Sequence, residues 1–329
     1  MRTVEVIIVG GGPAGSAAAH HLKAAGADVL VLDKESFPRH KLCAGWITPQ
    51  VVDNLQLEIS AYPHSFLSFR RLQCHLRGLK LPVQCVQHSI RRLEFDAWLL
   101  EQSGAEFLQH TVKNIRRDEG HYVIDGAFRC RYLIGAGGTS CPVRRALFDD
   151  VVPRARALQT VTLELEFPYE WQDPDCHLWF FERGLPGYCW YVPKASGWLN
   201  IGLGAMATRL KQRGENIKEH WQHLTSKLER QFGIRMPSDP TGYSYYVRGK
   251  LEVARVGDAF LTGDAAGLAT RDMCEGIGPA IRSGHLAAQA IVSGAEFGVD
   301  DVTGASLGGG LISRAFDCAF TRGVSPVTH

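Results

Sequence analysis

The chain has no C-x-x-C spacing: its nine cysteines, at 43, 74, 85, 130, 141, 176, 189, 274 and 318, form an odd and scattered set. That argues against a disulfide framework and against a zinc site, and for a reducing, cytoplasmic compartment. No metal centre is expected. A surplus of one charge is also missing. With 36 Lys and Arg against 34 Asp and Glu, nucleic acid is not read as a partner. No apolar run approaches the roughly 18 residues of a membrane span. The opening VEVIIVGGG is broken by glycines and reads as a strand entering a turn, not as a secretory leader. Peripheral contact with a membrane surface stays open, since a few exposed apolar side chains suffice for it. What is present, 45% hydrophobic and 21% charged residues, is the composition of a globular protein. Its length allows two core-forming units or one large discontinuous one.

Val4 to Val9 is a continuous apolar run, as in a strand buried on both faces. It enters Gly10-Gly11-Gly12-Pro13-Ala14-Gly15, then a small-residue helix closed at Gly26, then a second apolar strand ending on Asp33. This is G-x-G-x-x-G between strand and helix with an acid further on. Gly10 allows the tight turn, Gly12 a close approach to a pyrophosphate, and Gly15 close helix–strand packing. Asp33 is placed to accept from ribose hydroxyls. The fingerprint alone leaves FAD and NAD undecided.

More than two hundred residues later comes Thr262-Gly263-Asp264-Ala265-Ala266-Gly267, followed by Glu275-Gly276-Ile277-Gly278-Pro279 opening a helix. A second glycine-rich turn and a second helix N-terminus call for a long ligand. FAD is such a ligand, with Asp264 at its ribityl or pyrophosphate portion. The helix that starts near Gly276 and Ile277 would place its positive end at the flavin edge, where reduction adds negative charge.

On these residues the sequence resembles the geranylgeranyl reductase family of FAD-dependent oxidoreductases, within the p-hydroxybenzoate hydroxylase-like flavoproteins. Five landmarks spread over residues 3–293 carry the resemblance: the fingerprint, FPRHKLCAGW, RRLEFDAWLL, GYCWYVP and GDAAG with EGI. It implies a Rossmann-type α/β FAD domain interleaved with an antiparallel β-sheet substrate domain. Expected cofactor contacts are Gly10, Gly12, Pro13, Ala14, Gly15, Asp33, Lys34, Lys41, Cys43, Ala44, Gly45, Arg92, Gly137, Gly263, Asp264, Gly276 and Ile277. Two positions depart from the pattern. Gly137 stands where related flavoproteins carry an aspartate, and Cys274 stands where the family has a glycine. The electron donor is left between NAD(P)H and reduced ferredoxin, the latter as a separate donor protein.

The middle of the chain reads as a meander of strands with one amphipathic helix, IKEHWQHLTSKLERQF, presenting Ile217, Trp221, Leu224 and Leu228 on one face. The FAD domain is expected over 1–64, 91–152 and 250–293, and the substrate domain over 65–90 and 153–249. Residues 294–329 are read as a partly flexible tail. The expected activity is reduction of carbon–carbon double bonds in a hydrophobic, isoprenoid or lipid-like substrate, by hydride from the reduced flavin and a proton from an acid. Cys43 and Tyr188 are the candidate acids, with Lys41 as a neighbour able to lower the thiol pKa. Tyr188 and Trp190 occupy the family's Y-x-W positions, and the resemblance implies that they line the substrate cavity. Cys189 and Cys274 are further thiols read toward the same site. The alternatives are an FAD-dependent monooxygenase, a halogenase-like enzyme and a non-catalytic flavoprotein.

Overall fold

The computed structural model describes residues 1–300 together with 302, 304 and 306. The chain divides into two compact units made of separated segments. One comprises Met1–Arg39, Leu93–Ala155 and the described residues from Tyr246 on; the other comprises His40–Arg92 and Arg156–Tyr245. Residues 40–64, expected with the FAD domain, fall in the second unit. The reason is local: Trp46–Ile47 forms a short strand antiparallel to Leu79–Ile90, in the second unit's sheet.

In the first unit, Ala259–Leu261, Phe128–Gly135, Arg2–Val9, Val29–Asp33 and Glu106–Gln109 lie side by side in parallel. Both faces of this sheet are covered, which explains the uninterrupted apolar runs. Val6, Ile8, Val29 and Val31 point to the face packed by Ala14, Ala18, Leu22, Ala287 and Ala288, from the helices Pro13–Ala24 and Ile277–Ser293. Ile7, Val9, Leu30 and Leu32 point the other way, into a cluster with Tyr122, Ile124, Val143 and Phe148.

The start of the expected tail belongs to this second cluster. Phe297 packs against it and Val299 and Val302 are buried in it. The Arg248 guanidinium donates to the carbonyls of Val299 and Val302, and the Ser306 amide donates to Asp272. Apolar burial and a charged donor therefore tie down a stretch that its glycines made look loose. The rest of 294–329 lies outside the described residues.

The second unit is an eight-stranded sheet. In spatial order its strands are Thr241–Tyr246, Gln159–Pro168, Trp198–Met206, Gly187–Lys194, Cys176–Phe180, Phe66–Leu76, Leu79–Ile90 and Trp46–Ile47. From Gln159–Pro168 to Trp46–Ile47 the pairing is antiparallel except between Cys176–Phe180 and Phe66–Leu76. One face packs against the helix Ile217–Phe232, whose Trp221, Leu224 and Leu228 are buried beside Trp179, Tyr191, Leu199, Ile201 and Leu203. Asn216 caps this helix by accepting from the Lys218 amide, and Gly233 ends it in the left-handed region. No helix among the described residues is long and apolar enough to cross a membrane.

Leu228 is fully buried between helix and sheet. Leu228→Ala should cost about 2–5 kcal/mol of stability through lost transfer energy and a residual cavity. Denaturant unfolding followed by circular dichroism measures this, and a loss well under 1 kcal/mol would mean that the helix does not pack as described.

Candidate active site

In the first unit, three glycine-dependent approaches assemble one cradle. Gly10 has φ +115°, and a Cβ there would run into the Ala136 carbonyl. A Cβ at Gly284 would collide with the Ala14 carbonyl, so the two helices meet backbone to backbone. Gly263 has φ +55°, and its Cβ position lies 3.2 Å from Ala280 Cβ and 3.3 Å from Ala14 Cβ. The turn at Gly263 is thereby brought against the starts of both helices. The helix Pro13–Ala24 has no side-chain cap at Gly12 and no acid in its first turn. Its free amides favour an anion there.

The charged groups around this cradle are oriented by the backbone. Asp33 Oδ2 accepts from the Gly11 amide at 2.8 Å and Oδ1 from the Glu35 amide at 3.0 Å. The second lone pair of each oxygen is then aimed by these bonds. Asp264 Oδ1 lies 3.2 Å from the Cβ position of Gly276, so the acid and the second helix start share one corner. Ile277 is buried at the head of that helix, and Glu275 Oε1 accepts from the Gly278 amide at 2.8 Å. Arg39 stands at the first glycine-rich loop. Its Nη2 lies 3.2 Å from the Cβ position of Gly12 and 3.3 Å from Oδ2 of the fully buried Asp96. A cation is therefore held at the glycine-rich loop by the acid of the RRLEFDAWLL landmark. The signal lay in the pairing of FPR with FD, which only the fold makes visible.

Of the other expected cofactor positions, Gly137 borders the cradle, its amide nitrogen 2.7 Å from the Cβ position of Gly10. The Lys34 side chain is 69% exposed and pairs with Glu35. Arg92 is buried as the first residue of the helix Arg92–Gln102. Gly137 precedes a short 3-10 turn, and a Cβ there would stand 3.2 Å from Cys141 Cα, so an aspartate at this position needs Cys141 to give by a few tenths of an ångström. Lys41, Cys43, Ala44 and Gly45 belong to the second unit. Lys41 Nζ sits 3.2 Å from the centroid of the Tyr243 ring, a cation–π contact that occupies the ammonium.

In the second unit the Cys43–Gly45 loop is gripped by side chains from neighbouring strands. The Cys43 amide donates to Glu164 Oε1 at 2.6 Å, and its carbonyl accepts from Asn200 Nδ2 at 3.3 Å. Asn200 Oδ1 in turn accepts from the Trp190 indole at 2.7 Å. Lys194, with no exposed side-chain surface, donates to the Ala44 carbonyl at 2.7 Å and the Ile90 carbonyl at 2.6 Å. Burial pushes its ammonium below the ordinary lysine value, while Glu166 at 3.6 Å, Cys43 and Glu164 oppose that shift. Gly45 has φ +63°, and a Cβ there would sit 2.5 Å from Lys194 Nζ and clash with the Ile90 carbonyl. The Gly45 amide donates to Cys43 Sγ at 3.3 Å. Burial raises the Glu164 carboxyl to about 7, partly offset by the Cys43 amide, Lys194 and Lys41 and reinforced by Glu166.

Tyr188 and Trp190 project from one face of the strand Gly187–Lys194, with ring centroids 5.8 Å apart. Gly202 makes room for Trp190, since a Cβ there would overlap the indole. Cys189 corrects the reading that placed it with Cys43. Strand alternation turns it to the opposite face, into the core beside Trp179, and burial pushes its thiol far up. Cys274 lies in the first unit, half-buried with φ +55°.

A glycine cradle closed to side chains, uncapped helix amides, an oriented acid near one end and an arginine at the phosphate-binding loop fit a flavin adenine dinucleotide. The first unit has a Rossmann-type fold of the kind that binds FAD. A family profile described as FAD dependent oxidoreductase matches residues 5–94. The chain is 32% identical over 317 residues to an uncharacterized protein of Methanosarcina barkeri, covering 92% of this chain and 78% of that one. It is 29% identical to menaquinone reductase of Mycobacterium tuberculosis (88% and 77% covered). Identity to geranylgeranyl diphosphate reductase of Rhodobacter capsulatus is 27% (88% and 75%). A solved geranylgeranyl bacteriochlorophyll reductase-like protein of Thermoplasma acidophilum shares the fold, with a TM-score of 0.74 at 22% identity over 89% of this chain and 80% of that one. The chain belongs to the geranylgeranyl reductase family of FAD-dependent oxidoreductases.

Two outcomes follow from these sites. Arg39→Ala removes a charge-assisted contact at the phosphate loop and leaves Asp96 buried without this partner, so FAD retention on dialysis should fall about tenfold or more. Unchanged flavin content would place Arg39 outside the cradle. The folded chain keeps a proton on Glu164 that the unfolded chain releases near 4.5, so this group lowers stability as pH rises from there through about 7. Glu164→Gln retains an oxygen for the Cys43 amide and should flatten the Tm profile over that window. A variant profile parallel to the parent's would assign the pH dependence to other groups.

Proposed function

We propose that the protein reduces carbon–carbon double bonds of an isoprenoid or similarly hydrophobic chain. The observation that carries this reading is the gripped Cys43 loop: Glu164, Asn200 and Lys194, all buried, fix the backbone on both sides of a thiol that stays half-exposed. The relatives that match over most of this chain support it, being named for reduction of menaquinone and geranylgeranyl diphosphate, both of which carry isoprenoid chains. Bound FAD, once reduced, supplies a hydride. The chain's own residues supply the rest. Cys43 donates the proton that the second alkene carbon needs, and its backbone is held still while it does so. Tyr188 and Trp190 bind the apolar chain along one strand face, and the Trp190–Asn200 hydrogen bond couples that face to the Cys43 carbonyl. Tyr188 is the second candidate acid.

Electrons come from NAD(P)H or from a separate donor protein such as reduced ferredoxin; bleaching of the flavin colour by one and not the other decides which. A substrate of this class dissolves in a bilayer, so contact with a membrane surface belongs to the same reading.

Dithionite-reduced protein mixed anaerobically with a polyprenyl lipid should regain its yellow colour, and mass spectrometry should find product heavier by two hydrogens. Hydroxylated product formed only in air would replace this reading with the monooxygenase alternative. Cys43→Ala should lower the reoxidation rate by about 10²–10⁴ with flavin retained, the range ordinarily supplied by a general acid. A full rate in Cys43→Ala, with loss in Tyr188→Phe, would move the proton to the tyrosine.

A further inference from the structure

We propose that the β-hairpin Phe66–Leu76/Leu79–Ile90 is a docking element for an anionic lipid bilayer. Its two strands are joined by Arg77 and Gly78, both at positive φ, a tight two-residue turn. Leu79, Leu81 and Val86 are 65%, 47% and 50% exposed, three of the seven large hydrophobic side chains exposed among the described residues. The hairpin's carboxylate content is nil: no Asp or Glu occurs between Glu58 and Glu94, whereas the whole chain is nearly balanced at +2. Arg71 is paired with Asp175. Arg77 and Lys80 are exposed beside the leucines, and Arg70 is exposed across from Val86. Apolar side chains flanked by cations are the chemistry that a bilayer with acidic headgroups recognises.

The geometry favours a bilayer over another strand. Leu79–Ile90 pairs on its outer side only through Ser89 and His88 with Trp46–Ile47, so the stretch 79–87 is a sheet edge. Pro82 removes an amide from that edge, and the register shift opposite Arg70 breaks the ladder. Both features oppose edge-to-edge pairing with a second copy, while neither hinders insertion of side chains into headgroups. Register also shows where the apolar face leads. Leu79 lies opposite Leu76, Leu76 beside Phe180, and Phe180 opposite Tyr188; Leu81, Cys74, Leu178 and Trp190 form the adjacent row. The exposed leucines are thus the outer end of the same sheet face that carries Tyr188 and Trp190.

This inference deepens the reading of a bilayer-dissolved substrate and rests on it for its purpose. Vesicle binding needs no turnover, so the two fail separately. FAD-loaded protein should co-float with phosphatidylglycerol vesicles and do so weakly with phosphatidylcholine vesicles. Leu79→Asp combined with Leu81→Asp should lower the partition coefficient at least tenfold, by removing two apolar anchors. Arg77→Glu with Lys80→Glu should lower it and weaken its dependence on salt. All four residues are exposed, so flavin content and Tm should match the parent and exclude unfolding as the cause. Parent protein that stays with the soluble fraction, or variants that float like the parent, would overturn the docking role. So would a parent dimer on gel filtration that the leucine variants convert to monomer without changing flotation, which would assign this edge to self-association.

Discussion

A buried ammonium holds the second unit's loop in place. Lys194 has no water to solvate it, and its two short hydrogen bonds go to the carbonyls of Ala44 and Ile90, on segments far apart in sequence. Desolvating a lysine is costly, and the cost is offset only if acceptors and an opposite charge are already positioned. Glu166 provides the charge, itself shared with Arg91, whose guanidinium lies 3.5 Å from the Trp198 ring centroid. The conformation of residues 43–45 is therefore over-determined. Gly45 has to be glycine because the ammonium and the Ile90 carbonyl occupy the space of a side chain. Asn200 and Glu164 then take the remaining polar groups of Cys43.

The first unit depends on a different constraint, the exclusion of side chains where backbones meet. Gly10 and Gly284 each let one segment approach a neighbour closer than a Cβ would permit, and Gly263 turns at positive φ in tight contact with Ala14 and Ala280, so that three distant stretches meet in one place. Two charged groups are then added to that frame with almost no freedom. Asp33 is set by two backbone amides, and Arg39 by the buried Asp96. An ion pair of this kind adds little net stability once desolvation is counted, so its value lies in fixing where the cation stands.

Much of this was legible in the sequence. Apolar runs without alternation marked strands covered on both faces, and the spacing of Trp221, Leu224 and Leu228 marked the face of the helix that packs on the second sheet. The glycines of both turns were readable because the positive φ at Gly10 and Gly263 is a local demand, although the neighbours they admit are remote. Arg39, Glu164, Asn200 and Lys194 were not, since each acts on a partner far along the chain or on another strand. Nothing near Glu164 distinguishes it from Glu166 two residues on. One is buried against a loop amide and the other pairs with cations at 2.9 and 3.6 Å, a difference set by which strand neighbours each one meets. The boundary at residue 40 was missed for the same reason, because Trp46–Ile47 is too short a strand to announce its partner.

The family landmarks gain a physical meaning from these contacts. FPR and FD look like separate motifs but are the two halves of the Arg39–Asp96 pair. The cysteine loop and the Y-x-W strand are likewise joined, by Trp190 through Asn200 to the Cys43 carbonyl and by Lys194 to Ala44. Spacing between such motifs can drift, because loops of any length can close these contacts at small entropic cost. Identity of the paired residues cannot drift singly, since removing one partner leaves a buried charge or carbonyl unsatisfied, worth about 1–3 kcal/mol or more. Cys43 stands at the junction of these constraints, held through its amide, its carbonyl and its neighbour's carbonyl. On the reading proposed above, that grip would serve a thiol that must present its proton in one orientation.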